Sequence, residues 1–241
     1  MKRTLVILTL NEIDGVTSII PHLSRSIADE ILAVDGGSLD GTVEFLLDHG
    51  IRVFQQDKPG RGEAFRVGMQ NSEGNDIVFF SPDGNEDVND IPKLFSLLES
   101  GADVAIASRF LPGARNEEDG ELFPFRKWAN QVFTWLANLL WNKSNTRVSD
   151  TINGFRGFRR QSFLSLKPTS LGFTIEYETT IKAMRARMKI TEIPTVENHR
   201  IGGTTKGRSW PTGISFMRYL FHEIMLDIRS TLRKVRNAPK S

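Results

Sequence analysis

Short apolar runs alternate with longer segments of helical periodicity through the first half of the 241-residue chain. The apolar runs carry β-branched and aromatic residues without polar alternation, which predicts strands that are buried on both faces. They cover residues 4–9, 31–34, 51–55, 77–80 and 104–107. The helical segments cover residues 15–28, 41–49, 62–71 and 89–99. This alternation predicts an α/β fold with a mostly parallel central sheet and helices on both faces.

Charged residues and glycines concentrate in the loops that follow the predicted strands. The carboxyl ends of parallel strands meet at one edge of a sheet. We therefore expect these loops to lie together at the edge where open α/β sheets bind ligands. The loops cover residues 10–12, 35–42, 58–62, 81–87 and 108–109.

The loop after the fourth predicted strand carries the most acidic side chains of the five. Asp83, Asn85, Glu86 and Asp87 lie in it, and Gly84 allows a sharp turn. Oxygen side chains massed at this position suit a hard divalent cation such as Mg²⁺ or Mn²⁺. The alternative is an acidic, solvated turn that only caps the helix that follows.

The glycine-rich loop at 35–42 also allows more than one interpretation. Asp35 lies at the end of a strand, and Asp40 is a candidate N-cap for the next helix. A glycine-rich turn into a helix can hold phosphate, although this spacing matches neither common phosphate-binding motif. A bare turn is the second interpretation. In a third, Asp35 accepts the imide N–H of a uracil or guanine base, because a carboxylate only accepts hydrogen bonds.

Composition excludes several classes of chemistry. The chain has no cysteine, which rules out disulfides, thiolate metal sites and cysteine nucleophiles, and its four scattered histidines argue against zinc. Residues 1–10 mimic a signal peptide, but the apolar core is short and Asn11 and Glu12 follow it, so we predict a first strand instead. The longest uncharged stretch, 128–142, is too short and too polar to span a bilayer.

Two apolar stripes at helical spacing suit a hydrophobic ligand. The first comprises Trp128, Val132, Trp135, Leu136 and Leu139. The second comprises Ile214, Met217, Phe221, Ile224, Ile228, Leu232 and Val235, and it is flanked by Arg218, Arg229, Arg233, Lys234 and Arg236. Apolar stripes are most typical of a core or of a homo-oligomer interface. Flanking cations favour instead a helix in a membrane interface, and the regular stripe argues against nucleic acid as the partner of this basic tail.

Ordered motifs carry a more specific signal than any single loop. In the first half they are TLNE at 9–12, VDGGSLDGT at 34–42, KPGRGEAFRVG at 58–68, SPDGN at 81–85 with DIP at 90–92, and ASRF at 107–110. Their order and spacing resemble those of glycosyltransferase family 2. The second half resembles the dolichyl- or polyprenyl-phosphate sugar synthase branch. Its motifs are Arg126 with Asn130, VSDTINGFR at 148–156, EYE at 176–178, EIP at 192–194 and RIGGTTK at 200–206.

The resemblance implies a GT-A (Rossmann-like) domain at 1–207, and the second apolar stripe with its flanking cations predicts a basic amphipathic helix or tail at 208–241. The resemblance also implies an inverting, metal-dependent hexosyltransferase that takes a sugar from a UDP- or GDP-linked donor. Two family carboxylates are replaced, because Gly36 follows Asp35 and Ser81 stands at the first position of the Asp-x-Asp motif. The resemblance places Asp83 and Asn85 at Mg²⁺ or Mn²⁺. It assigns the donor to Leu10, Glu12, Asp35, Arg61, Ser81, Asp83, Arg200 and Lys206.

The acceptor implied by the resemblance is a polyprenyl (dolichyl or undecaprenyl) phosphate. Such a phosphate arrives ionised, so it needs cations rather than a strong base. The expected acceptor-binding residues are Arg109, Arg126, Asn130 and Arg156, and the expected catalytic residues are Asp83, Asp150 and Arg126. We expect Asp150 to orient the acceptor or an arginine. If the acceptor is a hydroxyl group, Asp150 is instead the first candidate for the base.

Two rival functions follow from the same residues. One keeps the fold but transfers the sugar to a soluble hydroxyl acceptor. The other is a sugar-nucleotide- or lipid-binding protein without catalysis, and the replacements at Gly36 and Ser81 are its best support. For the favoured function we expect a protein bound peripherally at the cytoplasmic face of a membrane.

Overall fold

The computed structural model describes residues 1–120, 124–144, 146–202 and 209–236. The chain divides into two compact units, Met1–Thr205 and Lys206–Ser241. The division into two domains near residue 207 stays a prediction. The first unit contains all of the strands described below and all of the candidate site residues except Lys206.

A seven-stranded sheet forms the centre of the first unit. Its strands are β1 (Arg3–Thr9), β2 (Glu30–Asp35), β3 (Arg52–Gln55), β4 (Asp76–Phe80), β5 (Val104–Ser108), β6 (Arg156–Arg159) and β7 (Ile190–Pro194). They are ordered β3-β2-β1-β4-β6-β5-β7, and only β6 runs antiparallel to its neighbours. The five predicted strands and the mostly parallel sheet are confirmed. The strands β6 and β7 were not predicted.

Eight α-helices complete the described part of the chain. They are α1 (Ile13–Ile19), α2 (Thr42–Asp48), α3 (Arg61–Asn71), α4 (Ile91–Glu99), α5 (Phe125–Trp141), α6 (Arg160–Leu166), α7 (Ile175–Arg185) and α8 (Ser209–Arg236). The prediction of one helix over 15–28 is wrong. The helix α1 ends at Ile19, and 3₁₀ turns at Ile20–His22 and Arg25–Ile27 follow it. Pro21 lies in the first of these turns and has no N–H to continue an α-helix.

Alternate residues of the sheet face two separate apolar layers. Val78 and Phe80 of β4 belong to one core cluster together with Leu94 and Phe95 of α4. The side chain between them, Phe79, points to the other face, where its ring stacks on Phe65 of α3 at 4.1 Å between centroids. Since both faces are covered, the strand is apolar from Ile77 to Phe80, as the uninterrupted run in the sequence predicts.

The reversed direction of β6 decides which loops share the ligand-binding edge. Its first residue, Arg156, pairs with Phe79 of β4 and with Ile106 of β5, near the carboxyl ends of both strands. The segment that precedes β6 therefore lies at the same edge as the loops that follow β4 and β5. The VSDTINGF stretch at 148–155 reaches the candidate site in this way.

The second unit is described through its helix α8. Ile214, Met217, Phe221, Ile228 and Leu232 of the predicted stripe are exposed, whereas Ile224 is half-buried. The side chains of Val235, Arg233, Lys234 and Arg236, also named above, lie outside the described residues. Among the helices that the structure describes, none combines the length and the apolar character needed to cross a bilayer.

Candidate functional site

Arg200 joins two of the predicted donor-site carboxylates. Its Nη1 donates to Asp83 Oδ2 at 2.9 Å, and its Nη2 donates to Glu12 Oε1 at 2.5 Å. Glu12 follows β1 and Asp83 follows β4, and these two strands are neighbours in the sheet. The sheet therefore brings the two carboxylates together, and Arg200, which is distant from both in sequence, contacts them. The structure thus brings together three predicted donor residues. Lys206, a fourth, lies outside the described residues.

The segment around Arg200 is bonded directly to the acidic loop. Ile201 N donates to Asp83 O at 2.7 Å, Asn198 N donates to Asn85 O at 3.0 Å, and Asn85 Nδ2 donates to Asn198 O at 2.6 Å. Gly84 has φ +89°, and a Cβ there would lie 2.6 Å from Ile201 Cγ1. The turn therefore requires glycine for its left-handed backbone and for the close approach of this segment.

Arg61 organises a second part of the donor side. Its Nε donates to Glu176 Oε1 at 2.5 Å, its Nη1 donates to Ser81 Oγ at 3.1 Å, and its Nη2 lies 3.9 Å from Glu86 Oε1. A Cβ on Gly154 would come within 2.0 Å of Arg61 Nη2, so glycine at 154 makes room for this guanidinium. Sequence reasoning placed Arg61 and Ser81 in the donor site and counted Glu86 among the oxygen side chains of the acidic loop, but it assigned no role to Glu176.

Glu86 is a carboxylate whose protonation differs strongly from that of an ordinary glutamate. Burial raises the pKa of Glu86, the charge of Arg61 opposes this rise, and the nearby Asp83 adds to it, which brings the pKa to about 8. Its Oε2 accepts a hydrogen bond from Ser81 N at 2.7 Å. In the sequence, only the position of Glu86 in the acidic loop indicated that it has a functional role.

The donor atoms in this loop suit a hard cation in type, although the protein ligands are few. Asp83 and Glu86 offer carboxylates and Asn85 an amide oxygen, which are the ligand types that Mg²⁺ and Mn²⁺ prefer. Within the part of the chain that the structure describes, no group of three or more His, Cys, Asp or Glu side chains is placed to hold a metal ion. The residues therefore fit a metal that takes most of its ligands from a bound diphosphate.

Asp35 has the role of a turn residue. It is fully buried, and its Oδ2 accepts from Gly37 N at 2.8 Å and from Ser38 N at 2.7 Å. Its Oδ1 accepts from Thr9 Oγ1 at 3.0 Å and from Ser38 Oγ at 2.5 Å. These four donors use the four lone-pair positions of a carboxylate, which favours the turn interpretation, and the contact of Asp35 with a base stays a prediction.

Asp40 and Leu10 are two other residues of the loops on the donor side. Asp40 was a candidate N-cap of α2, but the N-cap position is occupied by Gly41. Asp40 instead accepts from Ile13 N at 3.0 Å and from Thr42 N at 3.1 Å, and so ties the beginnings of α1 and α2 together. Leu10, a predicted donor residue, is 37% exposed at the same edge.

Arg109 and Asp150 form a bidentate ion pair on the acceptor side. Arg109 Nε donates to Asp150 Oδ2 at 2.7 Å and its Nη2 donates to Oδ1 at 3.1 Å, while Nη1 lies 3.6 Å from Glu197 Oε1. Burial raises the pKa of Asp150, but the charge and hydrogen bonds of Arg109 outweigh burial and hold the pKa below its ordinary value. Asp150 is fully buried, whereas the Arg109 side chain keeps 12% of its surface exposed.

This ion pair favours one of the two roles expected of Asp150. A carboxylate that is buried, ionised and already bonded to a guanidinium is poorly placed to take a proton from a hydroxyl acceptor. The geometry matches the other expectation, in which Asp150 orients an arginine. Glu192 supports the arrangement from behind, since its carboxylate accepts from Ser149 N at 2.7 Å and from Asp150 N at 2.9 Å. Sequence reasoning gave Glu192 no role.

Arg156 does not reach the acceptor, contrary to expectation. It is fully buried at the start of β6, where its guanidinium donates to Asn153 O at 2.6 Å, to Thr180 Oγ1 at 2.9 Å and to Glu176 O at 3.0 Å. Burial lowers the pKa of Arg156 to about 10, and the charges of Glu176 and Asp150 only partly oppose this fall. We therefore correct its role to that of a support for the segment before β6 and for α7.

Arg126 and Asn130 lie one turn apart on α5, beside an exposed apolar face. Arg126 is partly exposed and pairs with Glu118 at 2.5 Å and with Glu117 at 3.1 Å; Asn130 is half-buried. The apolar face consists of Phe125, Trp128, Val132, Trp135 and Leu139, each at least 56% exposed. Leu136 of the predicted stripe is half-buried. We call these five exposed residues the α5 stripe.

The chain is similar in sequence to several known glycosyltransferases. Relatives include glycosyltransferase AglJ of Haloferax volcanii, 27% identical over 81% of this chain and 63% of its own length. Dolichol-phosphate mannosyltransferase of Pyrococcus furiosus is 26% identical over 92% of this chain, which spans 62% of that protein. Polyprenol monophosphomannose synthase of Mycolicibacterium smegmatis is 25% identical over 98% of this chain and 91% of its own length.

Solved structures share the fold. Glucosyl-3-phosphoglycerate synthase of Mycobacterium tuberculosis superposes with a TM-score of 0.66 at 21% identity, over 100% of this chain and 80% of that one. The model of the family described as glycosyl transferase family 2 matches residues 4–166, which include Glu12, Arg61, Asp83 and Asp150. The chain therefore belongs to glycosyltransferase family 2, with an α/β fold of the GT-A type and relatives in the dolichyl- or polyprenyl-phosphate sugar synthase branch.

Proposed function

We propose that this glycosyltransferase moves a sugar, with inversion, from a nucleotide diphosphate donor to the phosphate of a polyprenyl phosphate. The observation that carries the proposal is the Arg109–Asp150 pair. The pair presents the fixed, partly exposed guanidinium of Arg109 at the acceptor side. The candidate base there, Asp150, is buried and ionised. An acceptor that is already ionised needs such a cation and no base, because a phosphate oxygen attacks without losing a proton.

The α5 stripe supports a lipid as the rest of the acceptor. Three of its five members are aromatic, and Arg126 and Lys127 lie on the same helix. A contiguous exposed apolar face beside cations suits a prenyl chain and the surface of a membrane with anionic lipid. The names of the Pyrococcus and Mycolicibacterium relatives, which act on dolichol or polyprenol phosphates, support the same acceptor class.

On the donor side, we propose that Asp83 and Asn85 hold Mg²⁺ or Mn²⁺ together with the donor diphosphate. The metal would neutralise the negative charge of the leaving nucleoside diphosphate. The mycobacterial synthase was solved with Mn²⁺ and UDP, which supports a divalent metal and UDP among the candidate bases. Arg200 would release Asp83 and turn to the diphosphate, because a guanidinium binds a phosphate as readily as a carboxylate.

The test is transfer from radiolabelled UDP- or GDP-sugars to polyprenyl phosphate in the presence of Mg²⁺ or Mn²⁺. Label that moves into organic solvent supports the proposal. Label that moves only to 3-phosphoglycerate or another soluble acceptor refutes the lipid acceptor. The replacement Arg109→Gln should lower lipid transfer at least tenfold. The matched control Arg115→Gln removes an exposed arginine six residues further on and should leave transfer unchanged.

If the protein binds sugar nucleotide but transfers the sugar neither to the lipid nor to a soluble acceptor, the result favours the non-catalytic alternative. Hydrolysis of sugar nucleotide without any acceptor would argue against that alternative, because hydrolysis requires a working donor site. The three outcomes separate the three functions that the sequence left open.

A further inference from the structure

Position 81 lacks the carboxylate that the family pattern places there. Ser81 follows β4 directly, and Asp83 is the next acidic residue along the chain. The number of carboxylates tunes how tightly a protein binds a hard cation. A site with Asp83 alone should therefore bind Mg²⁺ or Mn²⁺ more weakly than a site with two carboxylates.

Glu86 returns a carboxylate to the surroundings of Ser81. Its Oε2 accepts from Ser81 N at 2.7 Å, so the carboxylate lies against the backbone of the residue that lost one. The guanidinium of Arg61 contacts both residues, with Nη1 at 3.1 Å from Ser81 Oγ and Nη2 at 3.9 Å from Glu86 Oε1. One guanidinium spans only a few ångströms, so the Glu86 carboxylate and the Ser81 side chain are close neighbours.

The turn of the acidic loop explains how residue 86 reaches residue 81. Gly84 adopts φ +89°, and Asn85 N donates to Asp83 Oδ1 at 3.1 Å, which folds the chain back within a few residues. The Glu86 side chain is only 12% exposed, so it is directed inward rather than into solvent.

Carboxylates are numerous in the surrounding network. Among the described residues, Arg61 and Arg200 are the cations that form ion pairs with them. The carboxylates that they contact are Glu12, Asp83, Glu86 and Glu176. In addition, Glu176 Oε2 is buried without a hydrogen-bond partner among the described residues. In this part of the described structure, carboxylates outnumber the guanidiniums that pair with them, and a divalent cation beside them would reduce the repulsion among the acidic groups.

We propose that Glu86 supplies the second carboxylate of the metal site, in place of the one that is missing at position 81. The inference rests on the proposed function, since it concerns the metal of the same donor site. Glu86 then acts together with Asp83, and Arg61 holds it in place. The replacement at Ser81 is in this view a relocation of the carboxylate along the loop and not the loss of a ligand.

The test measures binding of Mn²⁺ and of Mn²⁺ with UDP by electron paramagnetic resonance and calorimetry, without turnover. The variant Glu86→Gln keeps an oxygen for Ser81 N and should fold, but we expect its Mn²⁺ affinity to fall by about tenfold or more. Adding Ser81→Asp to this variant should restore most of the affinity. Glu73→Gln is the matched control, because Glu73 is an exposed glutamate paired with Lys2.

Unchanged Mn²⁺ binding by Glu86→Gln would overturn the inference. Weak binding that Ser81→Asp does not restore would overturn it as well, because Glu86 would then act only through Arg61. Failure of the wild-type protein to bind Mn²⁺ with UDP would be a different result, which refutes the proposed donor site and the inference with it. Thermal unfolding of each variant separates loss of metal affinity from loss of folding.

Discussion

Replacing Asp150 by asparagine tests the ion pair on which the acceptor proposal depends. The variant Asp150→Asn keeps an oxygen for the N–H groups of Ile152 and Asn153, which donate to Asp150 Oδ1 at 3.2 and 3.0 Å. It loses the negative charge and turns an amide N–H toward Arg109. The guanidinium, only 12% exposed, is then left with Glu197 at 3.6 Å.

The structure sets the expected size of this effect. Breaking a buried ion pair by removing one partner costs about 3–5 kcal/mol. Arg109 retains Glu197 and some exposure, so we expect a loss of about 2–4 kcal/mol in the free energy of unfolding. For a chain of this length that corresponds to a fall in Tm of roughly 5–15 °C. The free energy of unfolding that Asp150→Asn loses should be smaller at acid pH. The pKa of Asp150 is lowered by Arg109, so the pair stabilises fully above the unfolded pKa of about 3.8 and is lost as pH falls through the lower folded pKa.

Urea unfolding at pH 7 and pH 3, together with lipid transfer, provides the assay. The control Asp119→Asn removes a carboxylate from an exposed pair with Lys127, and it should cost less than about 1 kcal/mol. The double variant Asp150→Asn with Arg109→Gln should recover part of the stability but none of the transfer. A loss at Asp150 no larger than that at Asp119, or full transfer by Asp150→Asn, would refute the reasoning.

Three further predictions concern the donor loop and the α5 stripe. Asp83→Ala should abolish transfer and Arg200→Ala should weaken UDP binding in calorimetry; normal turnover by Asp83→Ala would refute the assigned loop. The pKa of Glu86 is about 8 in the folded protein and 4.5 in the unfolded protein. In the presence of EDTA, the free energy of unfolding should therefore fall by about 2–5 kcal/mol between pH 4.5 and 8. Denaturant titrations of Glu86→Gln should not show this fall. Trp135→Gln should reduce sedimentation with anionic vesicles severalfold, whereas Leu47→Gln, an equally exposed site on α2, should not; equal effects would count against the stripe as the lipid surface.

The periodic pattern of the first half determined the fold class. The runs at 77–80 and 104–107 are apolar at every position because helices cover both faces of the sheet, and this signal is local. The second half lacks it. The strand β6, Arg156–Arg159, carries two arginines and a glycine in four residues, and it is a strand because β4 and β5 provide pairing partners on both sides. A segment of four residues is too short for a periodic pattern to predict this strand.

The sequence by itself also determined which residue types gather at the sheet edge, because parallel strands bring their following loops together. It correctly brought Glu12, Asp83 and Arg200 into one group through motif order. Only the tertiary structure decided which charged group faces which other group. Asp35 accepts hydrogen bonds from its own turn and from Thr9, and Arg156 is enclosed mainly by backbone carbonyls. Asp150 instead finds an arginine 41 positions away. Burial and the direction of a side chain depend on contacts between distant segments, and these contacts determine whether a charged residue acts as a support or remains available to a ligand.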